Sequence, residues 1–494
     1  MASRRLPLMG LLLPLAAALA ACGASTTSST TATPGAAATP APAAALQDWP
    51  EFDLTPQRYG STAETTGITA ANVGHLHRRV VQLPGTVDSS AVYLHGATVD
   101  GATHNTAFVT TTYGKTIALD ADTGKILWTF TPSGYAKWAG SGQVTTATPL
   151  IDPDDEYLYA ASPGGKIYKL AIASGQPAAG WPVTVTFDPV HEKIASALNM
   201  DGPDLLLTTG GYYGDVPPYV GHVMLIDRSS GHVVAVWNSL CANRHALIHA
   251  STCSASDSAI WGRAGAVVEP DGRILVATGN APYNGTTNFG DSIIELDYPS
   301  LTIHQVYTPT NQAQLNSEDL DLGSSSPVLL SSTLVVQAGK DSTLRVLRLD
   351  ALDGHPPGGR ARLGGQIQSL PTPGNAELFS APAVYTSDGH TTLFVADPAA
   401  TGAYALVNGR LRPLWSNGTG GTSPVVAGGL LYVYDLNDGG VKVYRPGSSH
   451  AIATLQTGNG HWNSPIVVDG KVIEPEGNYM QHSEHGVLDI FSAG

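Results

Sequence analysis

An eightfold internal repeat constrains this chain more than any other feature. A small residue, then Pro or Ala, then aliphatic residues recurs at Ser90-Ala91-Val92, Thr148-Pro149-Leu150, Ser196-Ala197-Leu198 and Gly265-Ala266-Val267. The series continues at Ser326-Pro327-Val328, Ala381-Pro382-Ala383, Ser423-Pro424-Val425 and Ser464-Pro465-Ile466. The middle residues are 58, 48, 69, 61, 55, 42 and 41 positions apart, the size of propeller blades carrying insertions. Composition agrees: 55 Gly and 34 Pro in 494 residues, with only 13% charged residues, leave little material for long solvent-exposed helices. Lys plus Arg number 25 against 40 Asp plus Glu, a net charge of −15 that disfavours nucleic acid as a partner, because phosphate neutralisation needs a basic surface.

Within the first unit three strands and two turns are legible: Thr106 to Thr112, Lys115 to Leu119 and Lys125 to Phe130, joined at Tyr113-Gly114 and at Asp120-Ala121-Asp122-Thr123-Gly124. In Asp-x-x-Thr-Gly the Asp and Thr side chains can bond turn amides while Gly supplies a positive φ. Echoes precede Trp181, Trp237 and Trp415. The end of the chain offers a check on the count. After Pro465 only 29 residues remain, with three candidate strands at Ser464–Val468, Lys471–Glu474 and Val487–Phe491. Leu76–Leu83, just ahead of the first unit, can supply the missing outer strand, and such a closure removes open sheet edges. The expected fold is therefore an all-β, eight-bladed propeller of four-stranded antiparallel blades, the last closed by an N-terminal strand.

The run Ala118-x-Asp120-x-x-Thr123-Gly124-Lys125-x-x-Trp128 resembles the tryptophan-docking motif of pyrroloquinoline-quinone (PQQ) type propellers. The resemblance covers essentially residues 47–494 and implies that Asp120, Gly124 and Trp128 are structural, with each such Trp packed between neighbouring blades.

Ahead of the repeats, Arg4 and Arg5 precede an apolar run from Leu6 to Ala21, too short to span a bilayer as a helix. It ends Leu19-Ala20-Ala21-Cys22, which resembles the lipobox of bacterial lipoproteins and implies lipidation of Cys22 as the mature N-terminus, hence an extracytoplasmic protein anchored to a membrane. Ser3-Arg4-Arg5 also carries part of a twin-arginine export signal. Residues 23–46 hold Ala, Thr, Ser, Pro and Gly up to a closing Leu46, with no charge at all, and read as a disordered tether with a reach of about 27 Å. The expected organisation is a leader over 1–22, a tether over 23–46 and the propeller over 47–494.

Cys241 and Cys253 remain, twelve positions apart in a Ser/Ala/His-rich loop. Outside the cytoplasm such a pair is best read as a disulfide. A Cys₂His₂ zinc site with His245 and His249 is the alternative, although the spacing is not that of a zinc finger.

Loops entering each innermost strand and loops joining the second and third strands share one face of a propeller. That sorting places Trp138, the Cys241–Trp261 insertion, Glu318 to Asp321 and His461-Trp462 around one mouth of the channel. Tyr212, Tyr213, Asn280, Tyr283, Lys340, Asp341, Glu476, Asn478 and His482 join them from loops within blades. Aromatics with carboxylates, an amide and a Lys suit a polar ligand, while the same residues also form ordinary turns.

Similarity to PQQ-dependent alcohol dehydrogenases gives these residues further meaning. Thr278 to Asn284 followed by Gly290-Asp291 resembles the segment bearing an Asn ligand to calcium, and Asp319-x-Asp321-x-Gly323-x-Ser325-x-Pro327 resembles the stretch around the catalytic Asp. The resemblance implies Asp319 and Asp321 as catalytic candidates, Asn280 and Asp321 as calcium ligands, and Trp261 and Lys340 as quinone-binding residues, with PQQ and calcium as cofactors. The chain departs from that pattern in lacking adjacent cysteines, a Glu to complete the calcium site and a Cys-x-x-Cys-His haem motif, and Leu320 stands where a Trp is usual. These departures favour a lipid-anchored scaffold binding a protein or a polar small molecule at the channel mouth, without catalysis; a calcium- and PQQ-dependent dehydrogenase of alcohols or sugars is the alternative.

Overall fold

Each repeat unit opens the innermost strand of a four-stranded antiparallel sheet, and eight such sheets follow one another in a computed structural model that describes residues 45–358 and 361–493. Residues 1–44, with Cys22 and nearly all of the expected tether, lie outside the described residues. Blade 1 shows the pattern, with strands Val92–Val99, Ala102–Thr110, Thr116–Asp120 and Ile126–Phe130 in spatial order. Thr106–Thr110 and Thr116–Asp120 of its middle strands are wholly buried, because each blade is sandwiched between two others, while the outer strand is partly exposed along its length. The core is correspondingly divided among the seams: Phe108 and Ala118 of blade 1 cluster with Ile151 and Leu158 of blade 2.

The outer strands are tied across those seams by tryptophan. Trp128 donates its indole N–H to the Ile172 carbonyl of blade 2 at 2.8 Å, and Trp415 of blade 6 donates to the Pro446 carbonyl of blade 7 at 2.9 Å. The preceding turn is built as its residues dictate: Asp120 Oδ1 accepts the backbone N–H groups of Asp122 and Thr123 and the Thr123 hydroxyl at 3.0, 2.7 and 2.9 Å, and Gly124 takes φ +76°.

The ring closes where the chain's two ends meet. His77–Leu83 pairs antiparallel with Gly486–Ser492, from His77 opposite Ser492 to Leu83 opposite Gly486, and completes the eighth sheet beside Lys471–Pro475 and Ile466–Val468. Arg78 fixes the register by donating to both Asp489 oxygens at 2.8 and 2.9 Å. A small additional sheet, Glu192–Lys193 with Gly210–Gly211, stands at the mouth of blade 3.

One element was not foreseen from the sequence. Residues 49–62 run across the channel and bond the innermost strands at one recurring position, the fourth residue of the repeat unit. Tyr93 and Trp49 exchange backbone bonds at 2.8 and 2.9 Å; the N–H groups of Ile151, Val268, Val384 and Val426 donate to the carbonyls of Pro50, Pro56, Tyr59 and Gly60 at 2.9, 3.0, 2.8 and 2.9 Å. At the equivalent position in blade 3, Asn199 uses its side-chain amide, donating to Pro56 at 3.0 Å. A ring of strands must leave inward-facing polar groups at its axis, and this segment satisfies them. Arg58, 1% exposed, locks the segment through Glu51 at 2.9 Å, the Leu198 carbonyl at 2.6 Å and the Phe52 carbonyl. Phe52 packs on Ala197, Ala264 and Ala381, the central residues or near neighbours of three repeat units.

Candidate functional site

The repeat's small residues face the other side of this plug, and above them lies a cavity of about 1060 Å³. Ser380 and Ser423, which precede or open repeat units, line it together with the loops assigned to the mouth: Tyr212, Tyr213, Trp261, Asp319, Asp321, Lys340, His461, Trp462 and His482 among them. The cavity therefore opens at one end and is floored, one residue layer down, by the N-terminal segment. Of the other residues placed at the mouth by sequence, Trp138 is buried beneath Lys137, Tyr283 packs edge-on against Phe289, and Glu476 pairs with Arg78 at 3.0 Å. The Cys241–Cys253 disulfide forms, with Cys253 against Val220, Leu240, Ala250 and Ala281; the bonded pair staples the insertion and does not line the cavity.

An aromatic trio makes the apolar part of the wall. Trp261, Phe379 and Trp462 come from loops entering blades 4, 6 and 8, with ring centroids 6.0, 6.4 and 5.5 Å apart pairwise. Arg263, 3% exposed, lies 5.9 Å from the Trp462 ring and spends its two terminal nitrogens on the Ala195 and Thr146 carbonyls at 3.2 and 3.0 Å. Burial pushes its guanidinium down to about 10, against the pull of Asp88 and Asp53. Phe379 was not singled out by sequence, although its place just ahead of Ala381-Pro382-Ala383 matches that of Trp462 ahead of Ser464-Pro465-Ile466.

The acidic candidates converge on Lys340. Its ammonium lies 2.7 Å from Asp321 Oδ2, 2.9 Å from Asp319 Oδ1 and 5.7 Å from the Trp261 ring centre. Asp321 Oδ1 accepts the Asn280 backbone N–H at 2.5 Å. Burial raises the Asp321 carboxyl above its ordinary range despite Lys340, and the carboxylates hold Lys340 above its own range despite burial. Asp291 stands behind Asp321, accepting from Leu322 N–H at 3.2 Å and Gln312 Nε2 at 3.3 Å, and burial pushes it up to about 8.

This arrangement does not fit calcium. A calcium site needs several oxygen donors around one centre; here the ammonium of Lys340 already stands between the two carboxylates. Asp88, Asp215, Glu318, Asp319, Asp321 and Glu377 line the cavity beside Lys193, Arg263, Lys340, His461 and His482, with Lys340 and Arg263 held by protein oxygens.

A third cluster was missed by sequence. Asp88, with a fully buried side chain, accepts at Oδ2 from His461 Nδ1 at 2.7 Å and His482 Nε2 at 3.1 Å, while Oδ1 takes the Trp462 backbone N–H at 2.8 Å. Burial would raise this carboxyl, but the two imidazoles hold it well below the usual range. The available signal was positional: Asp88 lies two residues ahead of the first repeat unit and His461 three ahead of the last, so ring closure makes them neighbours.

Comparison with known proteins supports the architecture. Residues 82–178 match the family described as outer membrane protein assembly factor BamB. No curated protein matches the chain. Among solved structures, the quinohemoprotein alcohol dehydrogenase of Comamonas testosteroni is 15% identical, covering 92% of this chain and 82% of its own with a TM-score of 0.65. The quinohemoprotein alcohol dehydrogenase ADHIIG of Pseudomonas putida HK5 is 13% identical, covering 91% and 80% with a TM-score of 0.67. A europium-containing methanol dehydrogenase is 13% identical, covering 90% and 98% with a TM-score of 0.64. The fold so defined is that of the eight-bladed PQQ-like, quinoprotein-type β-propeller. Among the described residues no helix is long and apolar enough to cross a membrane.

Proposed function

We propose that the chain is an extracytoplasmic, lipid-anchored binding propeller whose mouth cavity holds a polyhydroxylated ligand of the saccharide class, free or displayed on a partner. The observation that carries this reading is the aromatic trio Trp261, Phe379 and Trp462, set in a floored cavity among charged groups of both signs. Aromatic faces take the C–H faces of a sugar ring, and its hydroxyls, each a donor and an acceptor, suit a wall that offers carboxylates beside Lys193, His461 and His482. The volume matches the upper range of ligand cavities, roughly 300–1,000 Å³. Anchoring rests on the Cys22 motif. A partner protein, suggested by the family match over 82–178, would be met at the same open mouth.

Titrating the full chain with neutral oligosaccharides and polyols while following tryptophan fluorescence tests this. The expected result is a saturable change with at least one saccharide, weakened more than tenfold by Trp462→Ala and by Phe379→Ala. A saturable response that both variants retain, or none to any saccharide, would overturn the reading. The second reading, a dehydrogenase of alcohols or sugars, draws on one observation, the buried Asp321 with its raised carboxyl pKa at the mouth.

A further inference from the structure

We propose that Asp88, His461 and His482 form a zinc-class metal site on the wall of the mouth cavity. The three donor atoms, Asp88 Oδ2, His461 Nδ1 and His482 Nε2, all lie within 4.8 Å of one another. Neighbouring ligands of a tetrahedral zinc at about 2.0–2.1 Å are themselves ~3.3 Å apart, so the nitrogens at 2.7 and 3.1 Å from the carboxylate oxygen would draw back from it by about 0.6 and 0.2 Å to admit the ion. Two imidazoles and one carboxylate are the donor set that suits zinc and related divalent transition metals.

The surroundings hold the donors in place. Trp462 donates its backbone N–H to Asp88 Oδ1, which leaves Oδ2 turned to the histidines. Asn463 braces both flanks of Asp88 by donating to the Val87 and Ser89 carbonyls at 2.7 and 3.2 Å, and its Oδ1 accepts the His461 backbone N–H at 3.2 Å. A side chain at Gly477 would fall 2.0 Å from Asn463 Oδ1 and 2.7 Å from Asp88 Oδ1, so this position is kept bare. His482 arrives on a loop that passes through three successive left-handed residues, Asn478, Tyr479 and Met480, and is pinned by the mutual bonds of Thr86 and Ser483 at 3.0 Å. Strain of this kind persists only where surrounding structure enforces it. All three donors line the cavity, so three protein ligands leave a fourth position open to it, the layout of zinc sites that keep a water or bind a ligand oxygen. The site would thus place a Lewis acid beside Trp462, independently of whether the cavity takes a saccharide.

The test uses the full chain, stripped with chelator and titrated with zinc by calorimetry, and with cobalt(II) by visible absorbance. The expected result is one ion per chain, four-coordinate cobalt bands, and affinity lowered at least tenfold in His461→Gln and in His482→Gln, with His245→Ala unchanged. His482→Gln alters a loop residue outside the sheets, and a melting curve like the parent's establishes that it folds. No stoichiometric binding, or equal affinity in folded His482→Gln and parent, would show the three residues to be a hydrogen-bonded triad only.

Discussion

At the residue scale, the chain's buried carboxyls set its response to pH. Asp291 is held up at about 8 by burial, from an ordinary value of 3.8. The native state therefore keeps a proton that the unfolded chain releases, so the stabilising contribution is complete below about 3.8 and is lost as pH rises through about 8. Between about pH 5 and about pH 7 the parent should lose stability relative to Asp291→Asn by up to about 1.4 kcal/mol per pH unit. Denaturant melts at several pH values check this; parallel profiles would contradict it. The same scale shows how far side chains can be read from sequence. Loop sorting brought Asp319, Asp321 and Lys340 to one face, and the structure joins them within 2.9 Å. Asn280 comes to the same place, where its backbone N–H reaches Asp321 Oδ1. Asp88 escaped because its partners lie more than 370 residues away in sequence and meet it only through ring closure.

At the scale of elements, the strands were legible because the repeat carries its own punctuation, and the closure of blade 8 follows from counting strands. His77–Leu83 pairs with Gly486–Ser492 along its full length. Residues 49–62 were not legible, because a segment without periodicity gives no sign that it threads a channel, and its bonds depend on a ring assembled from the rest of the chain. Their importance can be measured. Trp49 is 1% exposed and exchanges two backbone bonds with Tyr93, so Trp49→Ala should cost about 3–5 kcal/mol. Removing residues 47–85 should cost far more, since it takes away both the plug and the outer strand of blade 8 and exposes two sheet edges. Equilibrium unfolding checks both; a truncated chain that melts cooperatively near the parent's midpoint would contradict the account.

At the scale of the whole molecule, the fold is shared with quinoprotein dehydrogenases, and fold alone does not carry function. The central proposal is that this cavity binds a ligand without quinone chemistry, and it rests on Lys340 standing between Asp319 and Asp321. The most direct measurement is to incubate the full chain with PQQ and calcium, remove what is unbound, and record retained quinone absorbance together with dye reduction by a panel of alcohols and sugars. The account predicts no retained quinone and no dye reduction above that of free PQQ. Stoichiometric quinone with substrate-dependent dye reduction, abolished by Asp321→Asn, would contradict it.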